Sequence, residues 1–252
     1  MGLIKIHNRY LENIAWTNAE TCDFALINNN IDIWRINISA NLPLLTSFLS
    51  IINPGEIARS NKYFHTKDKN RFIISRGALR HILGKYLNRS PNSIEFGIGE
   101  NKKPYLVNSD LHYNISHSGD WILCAVSNPE IGADVELINH DFKYQEVIED
   151  NFSSDEVNYI RQNLSIERFF MLWTRKEALT KATGKGLDED LKLIPCLDGV
   201  HPAQSDVISS ANDWLISSFK LYEDYIASVA SDTLPNEIRF WDIDFKKSAI
   251  IF

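Results

Sequence analysis

Two long helical stretches, each set among short strands, constrain this chain more than any other feature. The first is residues 67–88, KDKNRFIISRGALRHILGKYLN. Phe72, Ser75, Leu79, Ile82, Leu83, Tyr86 and Leu87 recur there at three- and four-residue spacing, which gives a helix one apolar face. Asn88 and Pro91 end it. The second runs from Ile166 to Thr183, with Gly184 as its stop. An apolar stripe has to be buried against another layer, and the neighbouring segments read as strands. Residues 31–38, 94–98, 113–116 and 121–127 accompany the first helix, and 131–137 is a further strand just past them. Residues 214–222, 225–231 and 238–245 follow the second as three consecutive strands. Ser118-Gly119-Asp120 and Glu223-Asp224 are hairpin turns, and Ser153-Ser154-Asp155-Glu156 is a capping box that opens a helix through Gln162. The expected class is α+β, in two similar halves joined at Asn128-Pro129, with domains 1–129 and 130–252.

Charge and cysteine content exclude several kinds of function. The 252 residues carry a formal charge of −7, which disfavours a nucleic-acid polymer as partner, because such binders need a positive field at the phosphate backbone. The average conceals an asymmetry: residues 59–89 hold nine basic side chains and one acid, Asp68. A small, highly charged anionic ligand suits that segment. Cys22, Cys124 and Cys196 are odd in number, far apart and outside any CxxC pair, so neither a disulfide framework nor a zinc site is expected. The opening MGLIKIHNRY lacks an apolar signal core, and no stretch reaches the roughly 18–20 apolar residues of a bilayer span. A cytoplasmic protein without a membrane partner is expected.

Three segments carry candidate chemistry. In IGADVE, residues 131–136, Asp134 and Glu136 are two apart on a strand, so both carboxylates leave the same face. Like charges so placed are tolerable when solvated on an edge strand, or when a cation sits between them; hard oxygen donors suit Mg²⁺. In WTRKEALTKATGKGL, residues 173–187, Trp173, Glu177 and Lys181 share a helix face. That stripe reads either as solvated charge or, with the tryptophan on it, as a face pointing into the protein. In NISHSGDW, residues 114–121, hydroxyls, an imidazole and turn amides can hold a phosphate. A Ser116–His117 catalytic pair is disfavoured, because adjacent strand residues point to opposite faces.

These three segments, in this order and spacing, resemble the 4′-phosphopantetheinyl transferase superfamily, in its long single-chain class associated with peptide and polyketide synthases. The likeness runs from about residue 50 to 190 and more loosely beyond. It implies two pseudo-symmetric α+β halves with the active site at their junction. It implies transfer of the phosphopantetheine arm of coenzyme A to a serine of an acyl or peptidyl carrier protein by a monomer, with Mg²⁺ as cofactor and 3′,5′-ADP as by-product. Matched residue by residue, it implies Asp134, Glu136 and Glu177 as metal ligands. Glu177, or a water on the metal, would take the serine proton, and Lys181 would assist the leaving group. Ser116 and His117 would contact a coenzyme A phosphate, Lys103 would face the nucleotide, and Arg71 would bind phosphate, with Arg59 or Lys62 beside it. Ala133 stands where the family usually has a larger β-branched residue, and Lys102 where glycine is common. A non-catalytic carrier-binding homologue and an unrelated Mg²⁺-dependent phosphohydrolase remain the alternatives.

Overall fold

The computed structural model describes residues 2–26, 29–99, 102–162, 165–186 and 189–246. In chain order the elements begin with β1 (Leu3–Tyr10), β2 (Thr17–Asn18), β3 (Ile31–Asn37), α1 (Ile38–Asn41), α2 (Leu45–Ile51), α3 (Pro54–Ser60) and α4 (Thr66–Leu87). There follow β4 (Phe96–Ile98), β5 (Pro104–Leu106), β6 (His112–Ser118), β7 (Trp121–Ser127) and β8 (Ile131–Leu137). The remainder is α5 (Ile148–Asn151), α6 (Ser154–Arg161), α7 (Ile166–Thr183), β9 (Gly199–Gln204), β10 (Trp214–Tyr222), β11 (Tyr225–Ser231) and β12 (Ile238–Asp242). The class is α+β, as expected. The expected capping box is present: Ser153 and Glu156 satisfy each other's backbone amides at the start of α6.

Two five-stranded sheets form the centre, in the orders β8-β11-β10-β1-β9 and β2-β12-β3-β7-β6. They face each other across Ile31, Ile33, Leu123 and Ala125 on one side and Ala133, Val135, Phe219 and Val229 on the other. The outer face of β3 and β7 carries α4, through Ile74, Ala78, Leu79 and Ile82 packed on Trp34, Ile36, Ile122 and Cys124. The opposite sheet carries α7, through Ala178, Leu179 and Ala182 against Ile6, Ile216 and Ala230. The layers therefore run helix, sheet, sheet, helix. Inner strands buried on both faces explain why β7 (WILCAVS) is nearly all apolar and does not alternate.

The three expected C-terminal strands are present, but they do not share one sheet. β10 and β11 form the hairpin, but β12 leaves them and pairs parallel with β3. The N-terminal strand makes the reciprocal exchange, since β1 pairs parallel with β10. The turn at Asn128-Pro129 does separate the two sheets at β7 and β8, while the chain termini cross it. A buried charge accounts for where β12 goes. Asp32 on β3 is fully buried. Arg239 on β12 donates to both of its oxygens (2.6 and 2.8 Å). Trp241 Nε1 donates as well (2.9 Å), and the Tyr86 hydroxyl of α4 closes the group. An unpaired buried carboxylate is very costly, so β12 is held by its partner's need for counter-charge.

The approach of α7 to β8 is set by Gly132. A Cβ there would lie 2.1 Å from the Ala178 carbonyl oxygen and 2.3 Å from the Ala182 nitrogen. Helix backbone rests directly on strand backbone, so a residue without a side chain at 132 is what this packing requires. Gly132→Ala should lower unfolding stability by about 2–3 kcal/mol, the usual cost of overpacking, read as a fall in the urea midpoint.

Candidate active site

The edge strands β6 and β8 belong to different sheets and are joined by side chains. Asn114 Oδ1 accepts from the Ala133 amide (3.1 Å). Ser116 Oγ donates to Asp134 Oδ1 (2.9 Å). Ser118 Oγ donates to Glu136 Oε2 (2.8 Å) and accepts from the Leu137 amide (3.0 Å). The strand period of two puts the serines on one face of β6 and the acids on the facing side of β8. His117, between the serines, points the other way and keeps an exposed edge.

Helix α7 adds the next two groups. Lys181 Nζ donates to Asp134 Oδ1 (2.6 Å) and to Ser116 Oγ (3.2 Å), and lies 3.9 Å from Glu177 Oε2 one turn earlier. Buried cations on the far side of the helix fix its rotation. Lys176 donates to Glu156 (3.0 Å) and to the Leu191 and Ile194 carbonyls (2.8 and 2.6 Å). Arg175 donates to Ser218, the Cys196 carbonyl and Asp198 (2.8, 2.7 and 2.6 Å). Neighbours in sequence thus have opposite roles: 175 and 176 key the helix into the fold, while 177 and 181 face outward to the junction. Trp173 is half-buried and stacks on Phe169 (6.0 Å), so the start of the stripe does point inward.

The junction holds a cleft of about 410 Å³. Asp134, Glu136, Glu177 and Lys181 form one wall; Arg59, Tyr63, Phe72, Ser75, Arg76 and His117 face them from the other half, with Pro104, Ile115 and Ser116 completing it. Burial pushes the Glu177 carboxyl up to about 7; Lys181 opposes this, and Asp134 and Glu136 add to it. Burial and the Asp134 charge also raise Glu136. Enclosure by the cleft, and then the positive charges of Arg71 and Lys181, lower His117. Asp134 Oδ2 is buried without a hydrogen-bond partner. Among the described residues, no three acid, histidine or cysteine side chains converge in a ready metal-holding arrangement.

Of the expected site residues, the fold brings Ser116, His117, Asp134, Glu136, Glu177, Lys181 and Arg59 to this cleft. Arg71 is not among its lining groups: it pairs with Asp68 three residues back on α4 (2.8 Å). Lys103 lines an adjoining depression of about 190 Å³ that shares Lys181 and Pro104 with the cleft. Its ammonium is engaged by Glu130 and by the Ala182 carbonyl at the end of α7 (2.5 Å). Lys102 has φ 61°, a left-handed conformation that a glycine takes readily and a lysine at some cost. The sequence does not single out Arg76, and it reads Ser118 only as part of the hydroxyl-bearing 114–121 segment and its turn, not as the partner of Glu136. Arg76 pairs with Glu56 (2.5 Å) and lies over Phe96 (4.1 Å). Its signal is the Asn53-x-x-Glu56 capping box, which buries an acid beside α4. Phe152, Phe169 and Phe170 are core, and Phe142 packs on the latter two while staying 40% exposed. No helix among the described residues is long and apolar enough to cross a membrane.

The chain can be compared with known proteins on this footing. Residues 130–230 match the family model of the 4′-phosphopantetheinyl transferase superfamily, and residues 40–129 match that of the 4′-phosphopantetheinyl transferase N-terminal region. The 4′-phosphopantetheinyl transferase HetI of Nostoc sp. is 28% identical over 227 residues, covering 87% of this chain and 94% of its own. The Synechocystis sp. protein slr0495, named as a candidate 4′-phosphopantetheinyl transferase, is 32% identical over 190 residues, covering 72% and 77%. A crystal structure of a holo-(acyl-carrier-protein) synthase from Bacillus anthracis in complex with CoA (3′,5′-ADP) is 23% identical with a TM-score of 0.33, covering 41% of this chain and 96% of that one. With residues 40–230 matched by two models of the family and 77% of a relative at 32% identity covered, the chain belongs to the 4′-phosphopantetheinyl transferase superfamily.

Proposed function

We propose that the protein transfers the 4′-phosphopantetheine arm of coenzyme A to a serine hydroxyl of an apo carrier protein, with Mg²⁺, releasing 3′,5′-ADP. The observation that carries this reading is the junction cleft, where three carboxylates and Lys181 face Arg59, Arg76 and His117 in a chain of this family. The helix-on-sheet arrangement of each half supports pseudo-symmetric halves: residues 1–129 supply most coenzyme A phosphate contacts, and 130–252 the acids. The carrier is acyl or peptidyl, and the enzyme acts as a monomer.

The donor set fits Mg²⁺. Asp134, Glu136 and Glu177 offer hard oxygens, Asp134 Oδ2 lacks a partner, and burial, with the neighbouring acids adding to it, holds the Glu136 and Glu177 carboxyls above their ordinary values. A Mg²⁺ held by these residues supplies charge neutralisation at the pyrophosphate. Arg59, Arg76 and His117 orient the nucleotide phosphates from the opposite wall. The carrier serine Oγ forms the new bond to the phosphorus of the phosphopantetheine phosphate, and the bond from that phosphorus to the 3′,5′-ADP oxygen breaks with its electron pair. Glu177, which faces the cleft one turn before Lys181, takes the serine proton. The Lys181 ammonium neutralises the departing 3′,5′-ADP. Ser116, bonded to both Asp134 and Lys181, keeps that pair together. Lys103 acts from the adjoining depression, at the nucleotide's edge, and Arg71, whose charge reaches His117, adds positive potential for a phosphate at that end of the cleft.

Incubation with coenzyme A, Mg²⁺ and an apo carrier, followed by intact mass of the carrier, tests the reading. Addition of the arm's mass supports it; an unmodified carrier indicates the non-catalytic binding homologue, and released phosphate the phosphohydrolase. Asp134→Ala or Glu177→Ala should cut transfer by about two orders of magnitude in a protein that still melts cooperatively, and near-normal activity in either would sink the acid assignment. Lys181→Ala should lower kcat more than it raises KM for coenzyme A; the reverse would make Lys181 a binding group. The raised Glu177 carboxyl also has a consequence for stability. The folded state binds its proton more tightly than the unfolded chain between 4.5 and about 7, so stability falls as pH rises through that window. Glu177→Gln should therefore stabilise the metal-free protein by about 2–3 kcal/mol at pH 8 and leave it unchanged near pH 4, as read by urea melts.

A further inference from the structure

The two strand acids of the cleft are held by different groups. Asp134 Oδ1 receives both Ser116 and Lys181. Glu136 receives Ser118, which the expected site did not include. A serine hydroxyl has one proton and two lone pairs. At Ser118 a lone pair takes the Leu137 amide and the proton goes to Glu136 Oε2, so the orientation of the hydroxyl is fully specified. The backbone beneath it is pinned too. Gly119 has φ 53°, and a Cβ there would lie 2.2 Å from the Tyr225 hydroxyl, which accepts the Asp120 amide at 3.0 Å. Asp120 in turn accepts from Asn37 and Ser39 at the start of α1 (3.0 and 2.7 Å). A hydroxyl so anchored can hold a long, rotatable glutamate in one orientation with one oxygen occupied and the other left for the cleft.

We propose that Ser118 is a positioning residue for the cation site: its hydroxyl fixes the Glu136 carboxylate and thereby sets the affinity for a divalent cation before coenzyme A arrives. This rests on the reading that Asp134, Glu136 and Glu177 hold such a cation. Groups that orient a metal's ligands typically change metal affinity 10- to 100-fold when removed.

The test is a titration with Mn²⁺ alone, without coenzyme A, following free Mn²⁺ by electron paramagnetic resonance. Wild type, Ser118→Ala, Ser118→Thr and Glu136→Gln are compared, with thermal melts of each. Ser118→Ala should weaken Mn²⁺ binding about 10- to 100-fold, and Ser118→Thr, which keeps the hydroxyl, should stay within about threefold of wild type. Wild-type affinity in Ser118→Ala overturns the proposal, even if the melting temperature falls. Equal losses in the Ala and Thr variants overturn it as well, because the turn and not the hydroxyl would then matter. If wild type shows no Mn²⁺ binding that Glu136→Gln weakens, the cation reading fails and the proposal with it, whereas the carrier mass assay judges the transfer reading separately.

Discussion

The structure depends on one side-chain ladder, the row Asn114, Ser116 and Ser118 of β6 bonded to Ala133, Asp134, Glu136 and Leu137 of β8. These strands are edges of two different sheets, and an edge offers unpaired polar groups that must find partners. Here the partners are the side chains of the opposite edge. The same bonds that close the junction fix two carboxylates in space, so the join between the halves and the chemistry of the cleft are one construction. The face-to-face core behind it, Ile31 and Leu123 against Ala133 and Val135, keeps the two edges at hydrogen-bonding distance.

Gathering acids in a partly dry cleft is unfavourable by itself, and the raised Glu136 and Glu177 carboxyls register that. Other parts of the fold hold the arrangement against this repulsion. Lys181 supplies one positive charge at 2.6 Å from Asp134. The buried Lys176–Glu156 pair, and the buried Arg175 guanidinium bonded to Ser218, the Cys196 carbonyl and the outlying Asp198, prevent α7 from rotating its acid away. Gly132 lets that helix lie on the strand itself. The exchanged terminal strands β1 and β12 tie each sheet to chain from the other half, with the Asp32–Arg239 pair as the lock. A strained charge cluster thus sits in a frame whose rigidity comes from far along the sequence.

Much of this was legible in the residues. The three- and four-residue spacing in α4 and the Ile166–Thr183 run of α7 with its Gly184 stop identify both long helices, because helical periodicity and end signals are local. The two-residue spacing of Asp134 and Glu136 placed both acids on one face for the same reason. Other features were not legible. Nothing near residue 238 says that β12 leaves its hairpin, since its destination is decided by a buried aspartate about 200 positions away. The capping box at Asn53–Glu56 was as visible as the one at Ser153, but that Glu56 would also take Arg76 and Arg80 depended on how α3 meets α4. Arg71 and Lys103 carried a plausible charge in a plausible place, yet closer partners, Asp68 and Glu130, engage them.

The sequence by itself determined the two long helices, the strands that carry the acids and the β10–β11 hairpin, the shared faces of the acids and of Glu177 with Lys181, and the positive segment beside them, all of which follow from backbone period and residue type. Only the tertiary structure decided which serine meets which acid, that Lys176 is buried while Lys181 is free to face the cleft, and that the termini cross. Those outcomes depend on the distance between surfaces contributed by remote segments, and distance, not residue type, determines which hydrogen bonds and ion pairs a buried charge can make.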